Sequence, residues 1–307
     1  MISVIIMTHD SAQFIERTLR AAFRISDDVH VIDSFSEDDT VDVCRRLGCQ
    51  VVQRRFRSYA EQRNWAFDNL TLRYGWHMHL DADEELEDHL ISLINGLEWD
   101  SVPYNGYIVG RKIVFMGRVL RHGGISTTWH CRIFRNGFGR CEDRLYDNHF
   151  VCSGPVKVLR GFLLDHQVNT ISEWTARHNY WSDYEAQEVT SDLPAPTRQY
   201  SVAPNAWGNP IERKRYIKTK YYSLPLFSRV FAYFFYRYLL RLGFLDGVEG
   251  MIFHILQGFW LRFLIDAKIF EARRRNNTAV LQGPAALGMG NHSIAATAPR
   301  STGDEST

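Results

Sequence analysis

The chain has 307 residues and 45% hydrophobic content, enough apolar mass for one large domain or two smaller ones. Its 36 basic and 35 acidic side chains leave a formal net charge of +1, which excludes the global positive field of a nucleic-acid-binding protein. Five cysteines, odd in number and without the paired spacing of a zinc site, exclude a disulfide framework or structural zinc and fit free thiols in a reducing cytoplasm.

Ile2 to Met7 is a nearly continuous apolar run. It reads as a strand buried on both faces, and not as a signal peptide, since no basic region precedes it and no small-residue cleavage site follows. It stops at Thr8-His9-Asp10-Ser11, and a helix follows with Phe14, Thr18, Leu19 and Ala22 on one stripe. Val29 to Ile32 is a second strand ending at Asp33, after which Ser36 and Asp39 resemble a capping box for a helix closed by Gly48. Gln50 to Arg54 is a third strand, and Ser58 with Glu61 offers a second capping box for a helix carrying Gln62-Arg63-Asn64. In the fourth strand, Trp76 to Asp81, Trp76, Met78 and Leu80 alternate with His77 and His79. Strand and helix alternating with short connections imply parallel strands with right-handed crossovers, whose ligands bind beyond the carboxyl ends. Thr8 to Asp10, Asp33 and Asp81 to Asp83 therefore fall along one rim, where their acids are expected to gather round one cation and a diphosphate.

Six acids lie between Asp81 and Asp88. Asp81 and Asp83 suit a hard divalent cation, Mn²⁺ or Mg²⁺, held through one or two carboxylates with substrate phosphates completing the shell. The plainer alternative, acids opening the next helix, suits Glu85, Glu87 and Asp88. The rim has neither G-x-G-x-x-G nor G-x-x-x-x-G-K-[ST], so a bound diphosphate must be met by the cation on Asp83 and by a basic side chain such as Arg63. For Arg63 the competing reading is an exposed helix charge.

The runs Ser3 to Asp10, Val31 to Thr40, Gln62-Arg63-Asn64 and Asp81-Ala82-Asp83-Glu84, in this order and spacing, resemble family 2 glycosyltransferases. The subgroup that makes lipopolysaccharide cores and exopolysaccharides is the most similar, and the resemblance extends through Arg241 to Gly247 as far as about residue 275. It implies an α/β GT-A fold, a Rossmann-like and mostly parallel sheet with flanking helices, followed by a helical, aromatic and basic extension. It also implies a nucleotide-sugar donor, with Thr8, His9, Asp10 and Asp33 around a uridine, Arg63 and Asn64 near the diphosphate, and Asp81 and Asp83 at the ribose and metal. Two departures bear on the base contact: Asp33 is followed by Ser34 and not a second acid, and His9-Asp10 replaces an aromatic-asparagine pair.

Sugar transfer with inversion needs a carboxylate to take the acceptor's proton while a cation stabilises the departing diphosphate. The base should lie outside the metal motif, in the segment Cys141 to His149 that follows a strand over Trp129 to Phe134. The family often places it in a Glu-Asp pair, here Glu142-Asp143, which makes Asp143 the first choice. Asp147 is second, through the related segment Tyr146-Asp147-Asn148-His149. Salt bridges of these acids to Arg140 or Arg144 are the structural alternative. His166 is a candidate third metal ligand or a hydrogen-bonded structural residue, and Trp129, Trp174 and Trp181 either stack on sugars or belong to the core.

From Ile211 to Arg241 eight Lys or Arg stand against one Glu, interleaved with aromatics, which suits an anionic membrane surface better than RNA. The apolar stretch Gly250 to Leu261, bounded by Glu249 and Arg262, is shorter than the about 20 residues of a membrane span, so it is read as an interfacial helix, with a packed helical hairpin as the alternative. The expected organisation is a catalytic domain over 1–170, a membrane-associating or acceptor-side extension over 171–275 and a disordered tail over 276–307. The expected function is a metal-dependent, inverting transfer of a hexose from a nucleotide sugar to a glycan or lipid-linked glycan at the inner face of the cytoplasmic membrane, without a nucleic-acid partner. A phosphohydrolase using the Asp-x-Asp site and a non-catalytic membrane adaptor are the competing readings.

Overall fold

The computed structural model describes residues 1–144, 147–167, 170–190 and 200–282, with side chains as far as Arg275. Strands β1 (Ser3–Thr8), β2 (Val29–Asp33), β3 (Gln50–Gln53) and β4 (Trp76–Asp81) run parallel and alternate with α1 (Ile15–Ala22), α2 (Thr40–Arg46) and α3 (Tyr59–Asn69). Then follow β5 (Glu84–Leu86), α4 (Asp88–Asn95), β6 (Gly106–Phe115), β7 (Arg118–Val119), β8 (Thr128–Arg135), β9 (Gly139–Cys141), β10 (Phe150–Cys152) and β11 (Val156–Gln167). The main sheet has the order β3-β2-β1-β4-β8-β6-β11-β5, with β7 beside β6. β8 is antiparallel to both β4 and β6, so the β4–β8 seam joins a parallel half to a mixed half.

The apolar alternation of the early strands divides the core. Val4, Ile6, Val31, Met78 and Leu80 pack with Ile15, Leu19 and Leu90 on one face. On the other, Ile5 and Ile32 meet Ala66 of α3. His77 and His79, the polar partners in the fourth strand's alternation, are buried under α3 among Phe67, Phe134 and Phe150. Burial drives both imidazoles to the neutral form, His77 down to about 4.

Ser58 caps α3 as read, its hydroxyl accepting from the Glu61 N–H at 3.1 Å. The Ser36–Asp39 box does not form. The Ser36 hydroxyl instead donates to Asp33 and accepts from the Asp10 N–H at 2.9 Å, which leaves it unavailable to a helix start, and α2 begins at Thr40.

The C-terminal region contains α5 (Ile171–Thr190), α6 (Pro210–Tyr222) and α7 (Ser228–Phe235), the last continuing as a π-helical turn to Leu240. A 3₁₀ turn, Gly243–Asp246, leads into α8 (Gly247–Phe253), a π-helical stretch over His254–Trp260 and α9 (Leu261–Gln282). Residues 276–282 are helical, so the expected tail does not begin at 276; its remainder lies outside the described residues. The helix over Gly243–Arg275 is long and apolar enough to cross a membrane by length and composition alone, and a third of its most apolar window is buried against the protein. The reading of Gly250 to Leu261 as a short isolated stretch is corrected here, because the bounding charges sit within the helix and have partners. Glu249 meets Arg118 at 3.5 Å and Arg262 meets Glu185 at 3.3 Å. The helices are also docked by Asp246, which accepts from the N–H groups of Arg121 and His122 at 3.0 and 2.9 Å.

Candidate active site

The carboxyl ends of β1, β2 and β4 do lie side by side, but their register separates the acids. Thr8 pairs with Asp33, whereas Met7 pairs with Asp81. Neighbours in register share a face of a sheet and a one-residue offset reverses it, so Asp33 leaves on the side of α2 and Asp81 on the side of α3. The expectation that these acids surround one cation is therefore corrected for Asp33. Its buried carboxylate accepts from the Ser36 N–H and Gln53 Nε2, each at 3.0 Å, and from the Ser36 hydroxyl. Asp10, with φ +44°, accepts from the Glu37 N–H at 2.8 Å and lies 3.3 Å from His9 Nε2. The buried Thr8 hydroxyl has no hydrogen-bond partner among the described residues. Beside this rim a shallow depression is lined by Ser34, Phe35, Gln53, Arg54 and Arg55.

A second cluster forms on the α3 side. Asp81 is gripped by Arg63 at 3.0 Å and by Arg132 at 2.9 Å. Arg132 also holds Glu84 at 2.5 Å, and Arg111 lies 3.8 Å from Glu84 and 3.3 Å from Asp165. Burial alone would raise the Asp81 carboxyl, but Arg132 and Arg63 outweigh it and hold the group ionised. The Arg63 guanidinium rests 4.9 Å from the centre of the Phe150 ring.

Asp83 differs from its neighbours. It makes no ion pair among the described residues, and burial together with Asp165, Asp81 and Glu84 pushes its carboxyl well up, opposed by Arg177 of α5. An unpaired carboxylate crowded by other acids fits a divalent cation, with Asp83 as the ligand and Asp81 beside it. No three His, Cys, Asp or Glu side chains converge as a self-sufficient metal site among the described residues. His166 faces elsewhere: its Nε2 lies 2.9 Å from Glu85, whose other neighbour is Arg17 at 3.6 Å, while its backbone N–H bonds the Asp83 carbonyl at 3.0 Å.

The three candidate bases are held very differently. Glu142 is fully buried and accepts from Arg215 at 2.6 Å and from the N–H groups of His149 and Val202 at 3.0 and 2.8 Å. Asp147, in a left-handed conformation at φ +54°, is held by Lys218 at 3.0 Å. Burial would raise its carboxyl, but Lys218, Lys214, His149 and Arg215 keep it well below the usual range. Asp143 is exposed and makes no hydrogen bond or ion pair among the described residues. Arg140 and Arg144 pair instead with Asp68, at 2.5 Å, and with Glu188. Asn64 clamps Cys141 in both directions, at 3.0 and 2.8 Å, and so fixes where this segment starts. Trp174 belongs to the core, stacked on His178, and Trp129 and Trp181 are half-buried.

Glu84, Arg111, Arg132, Asp165 and Arg177 were not singled out from the sequence. One signal was present: His130 and Arg132 alternate with the apolar Trp129, Cys131 and Ile133, putting polar groups on one face of β8.

A mixed α/β sheet of the GT-A type, with an acid and arginine cluster where its parallel half meets its mixed half, is the architecture of a sugar-transfer domain. The chain belongs to glycosyl transferase family 2, whose pattern matches residues 3–167, more than half of its length. It is similar to an uncharacterized glycosyltransferase of Rickettsia conorii (strain ATCC VR-613 / Malish 7), 23% identical over 292 residues, which span 91% of this chain and 93% of the relative. A second, from Rickettsia felis (strain ATCC VR-1525 / URRWXCal2), is 37% identical over 89 residues, 29% of this chain and 31% of the relative. Among solved structures it is similar to S. aureus TarS 1-349 in complex with UDP-GlcNAc, at TM-score 0.42 and 14% identity over 92% of both chains. Mycobacterium tuberculosis glucosyl-3-phosphoglycerate synthase in complex with Mn²⁺ and UDP-Glc aligns at TM-score 0.30 and 18% identity, over 36% of this chain and 43% of the synthase.

Proposed function

We propose that this glycosyltransferase moves a hexose, with inversion, from a uridine diphosphate sugar to a hydroxyl of a glycan or lipid-linked glycan during synthesis of a bacterial surface polysaccharide. The single observation that carries the reading is Asp83, the one carboxylate of its cluster without a cationic partner, at the carboxyl end of the parallel strands. A divalent cation held by Asp83 and Asp81 would neutralise charge building on the leaving diphosphate. Arg177, reaching the cluster from α5, supplies further positive charge there. Arg63, Arg132 and Arg111 together balance Asp81, Glu84 and Asp165, which keeps the acids from repelling an anionic donor.

Asp143 is the proposed base, because a proton acceptor needs a free lone pair and this carboxylate alone of the three is uncommitted among the described residues. Glu142 and Asp147 hold the surrounding segment in place. The protein is proposed to work at the inner face of the cytoplasmic membrane. Phe231, Phe235, Leu240, Phe244, Leu245 and Val248 are all exposed along α7, α8 and their connection, a segment that also carries the exposed Arg241. A segment of that kind, apolar and basic, suits a bilayer bearing anionic lipids. Slow release of UDP from a panel of UDP-sugars without acceptor tests the donor assignment, and no release from any of them would reject it.

A further inference from the structure

Asp81 is held by two arginines through one nitrogen each. Arg63 Nη2 donates to Asp81 Oδ1 at 3.0 Å, and Arg132 Nη2 donates to Asp81 Oδ2 at 2.9 Å and to Glu84 Oε1 at 2.5 Å. Such single-nitrogen bonds leave each guanidinium free to turn about its contact, whereas a bidentate pair would fix its own plane. The buried Arg132 has a further loose end, since its Nε finds no hydrogen-bond partner among the described residues. Something besides the carboxylates must set where the two cations point, and with them how Asp81 is turned next to Asp83.

Phe150 stands behind both of them. The centre of its ring lies 4.9 Å from the Arg63 guanidinium carbon and 5.9 Å from that of Arg132, inside the range of about 6 Å over which a ring attracts a cation. Tyr59 also meets Arg63, at 5.6 Å, but is itself exposed. The Phe150 ring is buried and held on its other sides by His79, Phe134 and Phe67, with ring centres 4.8, 5.5 and 5.9 Å away. Its backbone is tied to the helix that carries Arg63. Phe150 pairs with Cys141 across β9 and β10, and Cys141 is bonded in both directions by Asn64, the residue after Arg63. The ring is thus fixed by its own packing and not by the arginines it faces, which is what a positioning surface requires.

We propose that Phe150 is a positioning residue of the donor site: its ring face orients Arg63 and Arg132, and the two guanidiniums, one on each oxygen, fix the Asp81 carboxylate for the cation that Asp81 and Asp83 share. Phe150 touches neither the cation nor the donor in this role and acts only through the arginines. The inference rests on the reading of Asp81 and Asp83 as cation ligands given above. It assigns a part in the reaction to a residue of β10, a strand outside the main sheet that supplies no charge to the cluster.

The test is calorimetric titration of UDP into the full chain with and without Mn²⁺, read as the gain in affinity that Mn²⁺ brings. Phe150→Met keeps an apolar side chain without a ring face, and trifluorophenylalanine incorporated at position 150 keeps the shape while draining the face of negative charge. Phe134→Met is the control, a buried neighbour in the same core whose ring carries no arginine among the described residues. The wild type should gain at least tenfold, the fluorinated protein clearly less, and Phe150→Met no more than about threefold. Phe134→Met should keep the wild-type gain although its thermal midpoint falls. The proposal is overturned if ring fluorination leaves the full gain, or if Phe134→Met loses as much of it as Phe150→Met, which would make the effect a general loosening of the core. The fluorinated protein keeps the test open where Phe150→Met does not fold. Should Mn²⁺ bring the wild type no gain, the cation reading fails separately, and a double-mutant cycle of ring fluorination with Arg63→Met decides the rest. A coupling of at least about twofold in the unfolding equilibrium constant upholds the hold of the ring on Arg63, and additivity overturns it.

Discussion

Arg132 Nη2 stands 2.9 Å from Asp81 Oδ2 across the seam where β8 joins β4. The pair ties the last strand of the parallel half to the mixed half at the point where the acids converge. Arg132 is buried and reaches Glu84 as well. Arg132→Met therefore leaves the buried Glu84 short of its closest counter-charge and Asp81, half-buried, with Arg63 alone, and should cost about 3 kcal/mol of stability, read as a drop in the urea midpoint. A midpoint within error of the wild type would mean that the pair does not secure the seam.

Asp143 and Asp147 make opposite predictions for catalysis and stability. Asp143→Asn should leave the fold untouched and lower kcat by roughly 10² to 10⁴, the usual range for a lost general base. Asp147→Asn removes one of the two carboxylate partners of Lys218 and should lower the thermal midpoint more than Asp143→Asn does. Turnover measured beside the melting curve separates the two, and the assignment reverses if the larger loss of kcat falls on Asp147→Asn.

Acid should unfold the protein through its buried imidazoles. Burial lowers His77, His178 and His254 to about 4, against roughly 6.5 in an unfolded chain. The unfolded state binds the extra protons, so the stability these groups contribute is full above pH 6.5 and is lost as pH falls toward 4. For His77 alone the loss is roughly 3 kcal/mol by pH 4. Denaturant midpoints taken from pH 8 to pH 4.5 should fall mainly below pH 6.5; a flat profile across that window would contradict the burial of these rings.

Membrane attachment should depend on the apolar face of α7 and α8. Leu240→Asp, Leu245→Asp and Val248→Asp together should cut cosedimentation with vesicles containing phosphatidylglycerol at least tenfold while leaving the melting temperature unchanged, since all three side chains are exposed. Binding by the wild type should weaken with added salt and on purely zwitterionic vesicles. Equal sedimentation of variant and wild type would remove this face from consideration.

The four parallel strands were legible because short apolar runs and, from Trp76 to Leu80, a two-residue period report strands locally, and the strands lie where those runs put them. Asp81 and Asp83 were legible because they stand at the end of one such strand. Their partners were not: Arg132 and Asp165 arrive from strands 51 and 84 residues after Asp81, brought in by antiparallel and crossover pairings that no local pattern encodes. The separation of Asp33 from Asp81 was hidden for another reason. It depends on a one-residue offset in register between β1 and its two neighbours, which run lengths in a sequence do not fix. The charges of the C-terminal helices misled in the same way, since Glu249 and Arg262 look like the ends of a segment until Arg118 and Glu185 are seen beside them.

The most direct measurement is calorimetric titration of UDP into the wild type and Asp83→Asn, with and without Mn²⁺. An open carboxylate that recruits a cation for the diphosphate predicts at least tenfold tighter UDP binding with Mn²⁺ in the wild type, no such gain in Asp83→Asn, and a variant at least as stable as its parent because a crowded charge is gone. Binding of UDP that is indifferent to both Mn²⁺ and the Asp83 carboxylate would contradict it.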